Sequence, residues 1–212
     1  MKTAAFIPVK QFESSKTRLA LTRIQKIVLT ELMLKSTIIA LKKCKSISTI
    51  VTISADERVE KISSYYDIKF IFAKERGVNY AVKVGDDICK ENLINTNIVV
   101  PIDLIFLDPN EIELLLTIAS KPKKCSIIVP SARMDGTNLL IRKPFNLYET
   151  SYDNNSYFNH VQSSRKTAAQ TIVVKSANLS KDLDTMDDYE SITDHPTNRL
   201  SYLISRIQEI SG

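Results

Sequence analysis

The chain of 212 residues is poor in glycine, and it lacks the glycine-rich motifs that usually hold phosphate. Its glycines are Gly77, Gly85, Gly136 and Gly212. Neither the P-loop pattern nor the G-x-G-x-x-G pattern occurs, which excludes a P-loop protein and a standard dinucleotide binder. A chain with so little glycine is expected to keep it where the backbone takes a positive φ or closely approaches a ligand. Gly77 and Gly136 are the candidates, since both follow predicted strands; the alternative for each is an ordinary turn glycine.

Cysteine, histidine and long apolar runs are also scarce. Cys44, Cys89 and Cys125 are widely spaced and form no C-x-x-C pair, which predicts reduced thiols in a cytoplasmic protein and no zinc site. His160 and His195 form no metal cluster and no readable nucleophile–base pair, so each is by default a core or surface residue. No run approaches the roughly 18 apolar residues of a membrane span, and the apolar N-terminal run is too short for a secretory signal.

The overall composition is that of a soluble globular protein, with 43% hydrophobic and 25% charged residues. Lysine and arginine total 29 against 24 acids, for a net charge of +5. This mild excess favours a small anionic partner. No basic stripe with interleaved aromatic residues occurs, which argues against nucleic acid as a partner. The length predicts a single domain over residues 1–212.

Strand-like and helix-like segments alternate along the chain. Apolar and β-branched runs predict strands at 4–9, 48–54, 69–73, 97–102, 126–130, 139–141 and 171–175. Helical spacing of apolar residues predicts helices at 23–43, 55–64, 77–90, 109–119, 156–168, 186–193 and 198–210. This order predicts an α/β three-layer sandwich with a mostly parallel mixed sheet. The last helix is amphipathic, and we expect it to pack on its own domain or on a second copy in a homodimer.

A cationic loop follows the first predicted strand, in the segment "IPVKQFESSKTRLA" from Ile7 to Ala20. In mostly parallel sheets, ligands bind outside the carboxyl ends of the strands. Lys10, Lys16 and Arg18 therefore lie where a triphosphate could bind, with backbone N–H groups adding an anion nest. The alternative is a solvated surface loop whose cations have no ligand.

Aspartates follow two later strands. Asp103 ends the buried run "NIVVPI", and Asp182 and Asp184 lie in "KDLDT". A carboxylate at such a position must be solvated, paired or metal-bound, and Mg²⁺ takes carboxylate and phosphate oxygens together. The alternatives are structural: Asp103 could cap the helix near Pro109, and Asp182 or Asp184 could cap the helix that is predicted to begin at Met186. The sequence leaves open which of Asp182 and Asp184 would bind a metal.

Together these segments resemble the 2-phospho-L-lactate guanylyltransferases of deazaflavin coenzyme F-420 biosynthesis. The resemblance runs nearly end to end and rests on five motifs in order: "IPVKQFESSKTRLA", "PIDLIFL", "MDGTNLL", "YDNNSYFNH" and "DLDTMDD". It implies a fold like that of the nucleotide-diphospho-sugar and molybdopterin nucleotidyltransferases. It also implies transfer of GMP from GTP to the phosphate of 2-phospho-L-lactate or phosphoenolpyruvate, with release of pyrophosphate.

The resemblance assigns roles to individual residues. It implies Lys16, Arg18 and Asp103 for catalysis and Mg²⁺ on Asp103 and Asp184. Lys10, Lys16 and Arg18 would hold the nucleotide triphosphate, and Asn79 would read its base or else cap a helix. The small acid would be held by Thr137, Asn138 and Ser156.

The sequence departs from the family pattern at five positions: Asp135 and Asp153 replace glycines, Ile105 and Met186 replace prolines, and Tyr157 replaces a phenylalanine. These departures leave two alternatives open. One is a nucleotidyltransferase of the same fold with another nucleotide or phosphorylated acceptor. The other is a nucleotide-binding module without catalytic activity.

Overall fold

The protein was analysed as a computed structural model that describes residues 2–74 and 76–193. One sheet contains the seven strands of the described chain. They are β1 Thr3–Pro8, β2 Thr49–Ser54, β3 Lys69–Phe72, β4 Thr96–Val99, β5 Cys125–Pro130, β6 Thr137–Lys143 and β7 Gln170–Val173. The helices are α1 Arg23–Lys42, α2 Glu57–Tyr65, α3 Gly77–Glu91, α4 Pro109–Ser120, α5 Ser156–Lys166 and α6 Met186–Thr193. None of these helices has the length and apolar character needed to cross a membrane.

The strand order in the sheet is β3-β2-β1-β4-β6-β5-β7. Only β6 among these strands is antiparallel to its neighbours, pairing in that sense with both β4 and β5. The other pairs, β1 with β2 and β4, β2 with β3, and β5 with β7, are parallel. The predicted α/β class with a mostly parallel mixed sheet is therefore confirmed. The helix predicted over 198–210 lies outside the described residues.

Two predicted strands differ in extent from the observed ones. β4 ends at Val99, whereas the sequence predicted a strand as far as Ile102. Pro101 has no N–H to donate to a ladder, so the pairing stops just before it. β6 spans seven residues, whereas only 139–141 were predicted. The apolar run ends at the polar residues Thr137, Asn138 and Arg142, so the sequence predicted too short a strand, although all three side chains are buried.

Helices cover both faces of the sheet. One face packs against α1, α2 and α4 and holds the larger apolar core, which includes Leu34, Val59, Leu116 and Tyr189. The other face packs against α3 and α5, with Phe6 among its buried residues. These layers make the predicted sandwich.

The connections place a crevice beside β1. The chain passes from β1 to β2 and β3 on one side and then returns to β4 on the other side. Where the strand order reverses in this way, the loops after adjacent strands diverge and leave a crevice at their carboxyl ends. We call this side of the sheet the carboxyl edge. β6 runs in the opposite direction, so its first residues also lie there.

Gly77, Gly85 and Gly136 occupy three different kinds of position. Gly77 begins α3 with a φ of +82°, which confirms the expected left-handed backbone. Gly136 takes no such conformation, and an added Cβ would meet Ser131 at an ordinary 3.4 Å. The expected positive φ was therefore wrong for Gly136, and a close approach to a ligand there stays a prediction. Gly85 is the close approach: an added Cβ would lie 2.7 Å from the Phe6 ring. The absence of a side chain lets α3 pack against β1.

Gly85→Ala is expected to lower the free energy of unfolding by about 1–2 kcal/mol, because overpacking against Phe6 outweighs the gain in helix propensity. Urea unfolding measures the change. In a Phe6→Leu background the ring is gone, so the cost of Gly85→Ala should shrink or reverse. An equal cost in both backgrounds would contradict the clash with Phe6.

Candidate functional site

The cationic loop after β1 is fixed to the protein by Asp56. This carboxylate accepts hydrogen bonds from the backbone N–H of Phe12 at 3.0 Å and from Arg58 Nε at 2.8 Å. Asp56 also caps α2, and the Arg58 guanidinium lies 4.6 Å from the centre of the Phe12 ring. Hydrogen bonds and burial of Phe12 therefore fix the path of the first part of the loop. Whether the cations of the loop bind a ligand stays a prediction.

A cavity of about 430 Å³ opens at the carboxyl edge, in the crevice beside β1. It is lined by residues that follow β1, β2, β3 and β4, together with Asp184 from the segment before α6. Among the described residues, the charged ones that line it are Lys10, Lys16, Arg18, Lys74, Arg76, Asp103 and Asp184. The excess of cations makes the cavity suitable for a polyanion, and its volume is in the usual range for small-molecule sites.

Lys16 lies at the centre of this charge arrangement. Its Nζ lies 3.0 Å from Asp103 Oδ2 and 3.1 Å from Asp184 Oδ1, and its side chain is only 6% exposed. The backbone of Lys16 is left-handed, with φ of 53°. Burial opposes the charge on Lys16, but the two carboxylates outweigh it and raise its pKa above the ordinary value. Lys16 is thus a fixed, charged ammonium between two aspartates.

A third carboxylate, Asp182, belongs to the same cluster. Burial raises its pKa, and repulsion from Asp103 and Asp184 raises it further, while a hydrogen bond from Asn138 lowers it. No group of three or more His, Cys, Asp and Glu side chains within residues 2–74 and 76–193 is arranged to hold a metal. Mg²⁺ commonly uses only one or two carboxylates and completes its shell with water and substrate phosphates.

The structural alternatives for these aspartates fail. Asp108, and not Asp103, caps α4, accepting from the Asn110 N–H at 2.9 Å. At α6, the backbone N–H of Asp188 donates to Thr185 Oγ1 at 3.3 Å, while Asp188 accepts from Thr185 N–H at 2.7 Å. This reciprocal pair caps the helix. Asp103 and Asp184 are therefore left to face the cavity.

Asn79 is not among the residues that line the cavity, although its neighbours Gly77 and Val78 are. Its Oδ1 accepts from the Tyr152 N–H at 2.8 Å, and its Nδ2 donates to Asp153 at 2.9 Å. The side chain thus connects α3 to the loop before α5, and it does not act as the helix cap of the alternative. Base recognition by Asn79 stays a prediction, and it would require this amide to change partners.

The predicted acid-binding residues are buried at the carboxyl edge, around the start of β6. The Thr137 N–H donates to Ser156 Oγ at 2.8 Å. Asn138 Nδ2 donates to the Leu179 carbonyl at 3.1 Å. Beside them a smaller cavity of about 170 Å³ shares Asp184 with the larger one and is lined by residues 131–133, 182, 184, 185 and 188. Whether these residues hold an acid stays a prediction.

The sequence analysis gave no role to three residues that line the larger cavity or contact the predicted acid-binding residues. Lys74 and Arg76 line the larger cavity. Their position directly after β3 was the available signal, because every other loop of the cavity also follows a strand. His160 is fully buried and contacts Thr137, which its place in a polar helix did not indicate.

Comparison with known proteins identifies the family. The model of the family "Guanylyl transferase CofC like" matches residues 3–208. The chain belongs to this family. The resemblance drawn from the five motifs is thereby confirmed.

Curated relatives cover most of the chain. A phosphoenolpyruvate guanylyltransferase from Conexibacter woesei is 27% identical over 91% of this chain and 87% of its own length. A 2-phospho-L-lactate guanylyltransferase from Methanocaldococcus fervens is 30% identical over 91% of this chain and 85% of its own length. A 3-phospho-D-glycerate guanylyltransferase from Colwellia psychrerythraea is 28% identical over 90% of both chains. These relatives share a guanylyl donor and differ in acceptor.

A solved structure supports the fold. A protein from Desulfovibrio desulfuricans G20 described as a nucleotide-diphospho-sugar transferase matches with a TM-score of 0.79 at 13% identity. The match covers 98% of this chain and 96% of that one. The fold is therefore that of the nucleotide-diphospho-sugar transferases, as predicted.

Lys16→Met should destabilise the protein in the absence of metal, because Asp103, Asp182 and Asp184 would face one another without the ammonium. Breaking a buried ion pair costs about 3–5 kcal/mol, and since Asp103 and Asp184 are 26% and 34% exposed, we expect about 1–2 kcal/mol. Urea unfolding at neutral pH measures it.

Adding Mg²⁺ should recover part of this loss, since a divalent cation can occupy the place of the ammonium. Lys10→Met is the matched control: Lys10 is exposed on the same loop, so its unfolding midpoint should not change. A Lys16→Met protein as stable as wild type would contradict the role of Lys16 as internal counter-ion.

Proposed function

We propose that the chain is a guanylyltransferase that transfers GMP from GTP to the phosphate of a small phospho acid and releases pyrophosphate. The observation that carries the proposal is the ion pairing of Lys16 with Asp103 and Asp184 in the lining of a cationic cavity. Membership of the CofC-like family supports this reaction. The motifs of the chain suggest that the reaction serves coenzyme F-420 biosynthesis.

The larger cavity is the proposed nucleotide site. Lys10, Lys16 and Arg18 come from the loop after β1, and Lys74 and Arg76 come from the segment after β3. Cations on both sides of a crevice can hold three successive phosphates and stabilise the charge on the departing pyrophosphate. The loop carrying Lys16 and Arg18 is held in place by Asp56, so this charge is organised before the nucleotide binds.

Asp103 and Asp184 are the proposed magnesium ligands. Their carboxylates already bind one cation between them, the Lys16 ammonium. Burial, and then repulsion from Asp103 and Asp184, raise the pKa of the neighbouring Asp182. Hard oxygen ligands of this kind suit Mg²⁺. When bound there, the ion would supply charge neutralisation and Lewis-acid polarisation of phosphate oxygens.

The chemistry needs no nucleophile from the protein. The acceptor phosphate is itself the nucleophile: one of its oxygens bonds to the α-phosphorus of GTP as the bond to the pyrophosphate oxygen breaks. The barrier comes from repulsion between anions and from alignment of the attacking and leaving oxygens, so positioning and electrostatics carry the catalysis. Lys16 and Arg18 contribute fixed positive charge on the donor side.

The acceptor is proposed to bind beside the smaller cavity. Thr137 and Ser156 would donate hydroxyl hydrogen bonds to its carboxylate or phosphate, and Asn138 supports the segment that carries Asp182. Asp135 and Asp153, which stand where the family has glycines, lie in the loops on either side of this region. They leave the choice among 2-phospho-L-lactate, phosphoenolpyruvate and another phospho acid to experiment.

Pyrophosphate release in the presence of Mg²⁺ tests the proposal. Each of the four common nucleoside triphosphates is paired with phosphoenolpyruvate, 2-phospho-L-lactate or 3-phospho-D-glycerate, and the product is identified by mass. We expect turnover with GTP and one of these acids. Turnover with a different nucleotide would establish a related transferase, and no turnover by folded protein that binds GTP would overturn the proposal.

Asp103→Asn should lower kcat by about 10²–10³-fold or more, since it removes a carboxylate proposed to hold the metal against the reacting phosphates. Asp108→Asn is the matched control, because it makes the same change five positions away and asparagine still caps α4. A fully active Asp103→Asn enzyme would refute the metal assignment. Equal losses in both variants would point to general damage to the segment.

A further inference from the structure

His160 lies beneath the proposed acceptor site and makes two hydrogen bonds. It is fully buried on α5. Its Nδ1 lies 2.9 Å from Thr137 Oγ1, and its Nε2 accepts from the backbone N–H of Ser151 at 3.0 Å. Tyr152 packs edge-on to the ring, with centroids 4.8 Å apart. The imidazole is therefore held on both nitrogens and shielded from water.

These partners determine which nitrogen carries the proton. A backbone N–H can only donate, so Nε2 must be the unprotonated nitrogen. Burial lowers the pKa of His160 to about 4, with a further contribution from the charge on Arg142, so the ring is neutral at neutral pH. A neutral imidazole with a bare Nε2 carries its proton on Nδ1. His160 thus donates to Thr137 Oγ1.

This donation sets the direction of the Thr137 hydroxyl. Among the hydrogen bonds between described residues, Thr137 Oγ1 has only the one to His160. Because the oxygen accepts there, its own proton is left to donate elsewhere. The Ser156 hydroxyl is also left with its proton to donate, since its Oγ accepts from the Thr137 N–H at 2.8 Å. Two neighbouring hydroxyl groups are therefore both prepared to donate, which suits an anion.

We propose that His160 is a positioning residue for the acceptor: by donating from Nδ1 to Thr137 Oγ1, it presents the Thr137 hydroxyl proton to the anionic group of the phospho acid. The inference rests on the proposed function, because it takes Thr137 to be part of the acceptor site. His160 itself makes no contact with substrate. Its effect is on acceptor binding, while the nucleotide cavity, which lies beside other strands, is left unchanged.

Two amide variants of His160 distinguish the role of Nδ1 from the role of Nε2. In His160→Asn the shorter side chain can place an NH₂ near the position of Nδ1, so the bond to Thr137 is kept. In His160→Gln the longer side chain reaches the position of Nε2, so the bond to Ser151 is kept and the donor to Thr137 is lost. We expect His160→Gln to raise KM for the phospho acid about tenfold with KM for GTP unchanged, and His160→Asn to stay within about twofold.

Thr137 provides the coupling test. Thr137→Val removes the hydroxyl and should raise KM for the acid by a similar factor. Thr137→Ser retains a hydroxyl, so its KM for the acid should rise less than that of Thr137→Val. In the Thr137→Val background, His160→Gln should have no further effect on this KM, because the hydroxyl it orients is absent. Independent, multiplicative effects of the two changes would overturn the proposal, as would equal losses in His160→Asn and His160→Gln or parallel rises in both KM values.

The tautomer can be measured without turnover. In the ¹⁵N-labelled protein at neutral pH, two-bond ¹⁵N–¹H NMR should show a protonated Nδ1 and an unprotonated Nε2 for His160; the signal is assigned by its loss in His160→Gln, since His195 is the other histidine. The opposite tautomer, or a charged ring, would refute the inference. Absence of turnover by the wild-type enzyme would instead refute the proposed function, so the two failures are distinguishable.

Discussion

The ammonium of Lys16 between Asp103 and Asp184 is the interaction on which the site depends. It joins a loop after the first strand to residues 87 and 168 positions later in the chain. Without a cation, Asp103, Asp182 and Asp184 would repel one another at the edge of an apolar core. Because Lys16 is nearly buried and in a left-handed conformation, its charge has little freedom to move. The same electrostatic demand makes this edge suitable for a magnesium nucleotide.

The region around the start of β6, where we propose that the acceptor binds, is held by a buried ion pair and hydrogen bonds. Arg142 is buried there, donates to the Tyr148 carbonyl at 2.6 Å and pairs with the partly exposed Asp86 at 2.7 Å. This holds the loop between β6 and α5, from which Ser151 reaches His160. The two aspartates that replace family glycines are accommodated by hydrogen bonds, Asp135 from Ser131 at 2.8 Å and Asp153 from Asn79 at 2.9 Å. The region around the start of β6 thus differs from the family pattern, while both replacing aspartates have hydrogen-bond partners.

Sequence reasoning was strongest where one local rule decided the outcome. β-Branched runs and helical spacing identified the six α-helices and, at least in part, the seven strands of the described chain, but not the short 3-10 helix Phe12–Ser14. The rule that ligands bind after strand ends selected Lys16, Arg18 and Asp103 in advance. It was weakest where partners are distant in sequence. Asn79 contacts Tyr152 and Asp153, and Gly85 faces Phe6. The charge of Asp103 contributes to the raised pKa of Asp182, after burial. None of these pairs leaves a local pattern that could be read along the chain.

The amino-acid sequence by itself determined the α/β class, the alternation of elements and the set of charged residues at strand ends, because hydrophobic periodicity and turn chemistry act over a few residues. Only the tertiary structure decided which of these charges meet. Asp103 and Asp184 became partners of Lys16, and not helix caps, because Asp108 and Thr185 take the capping positions. His160 became a donor to Thr137 because the fold places the Ser151 N–H against its other nitrogen. Such roles depend on separations of a few ångströms, which packing alone establishes.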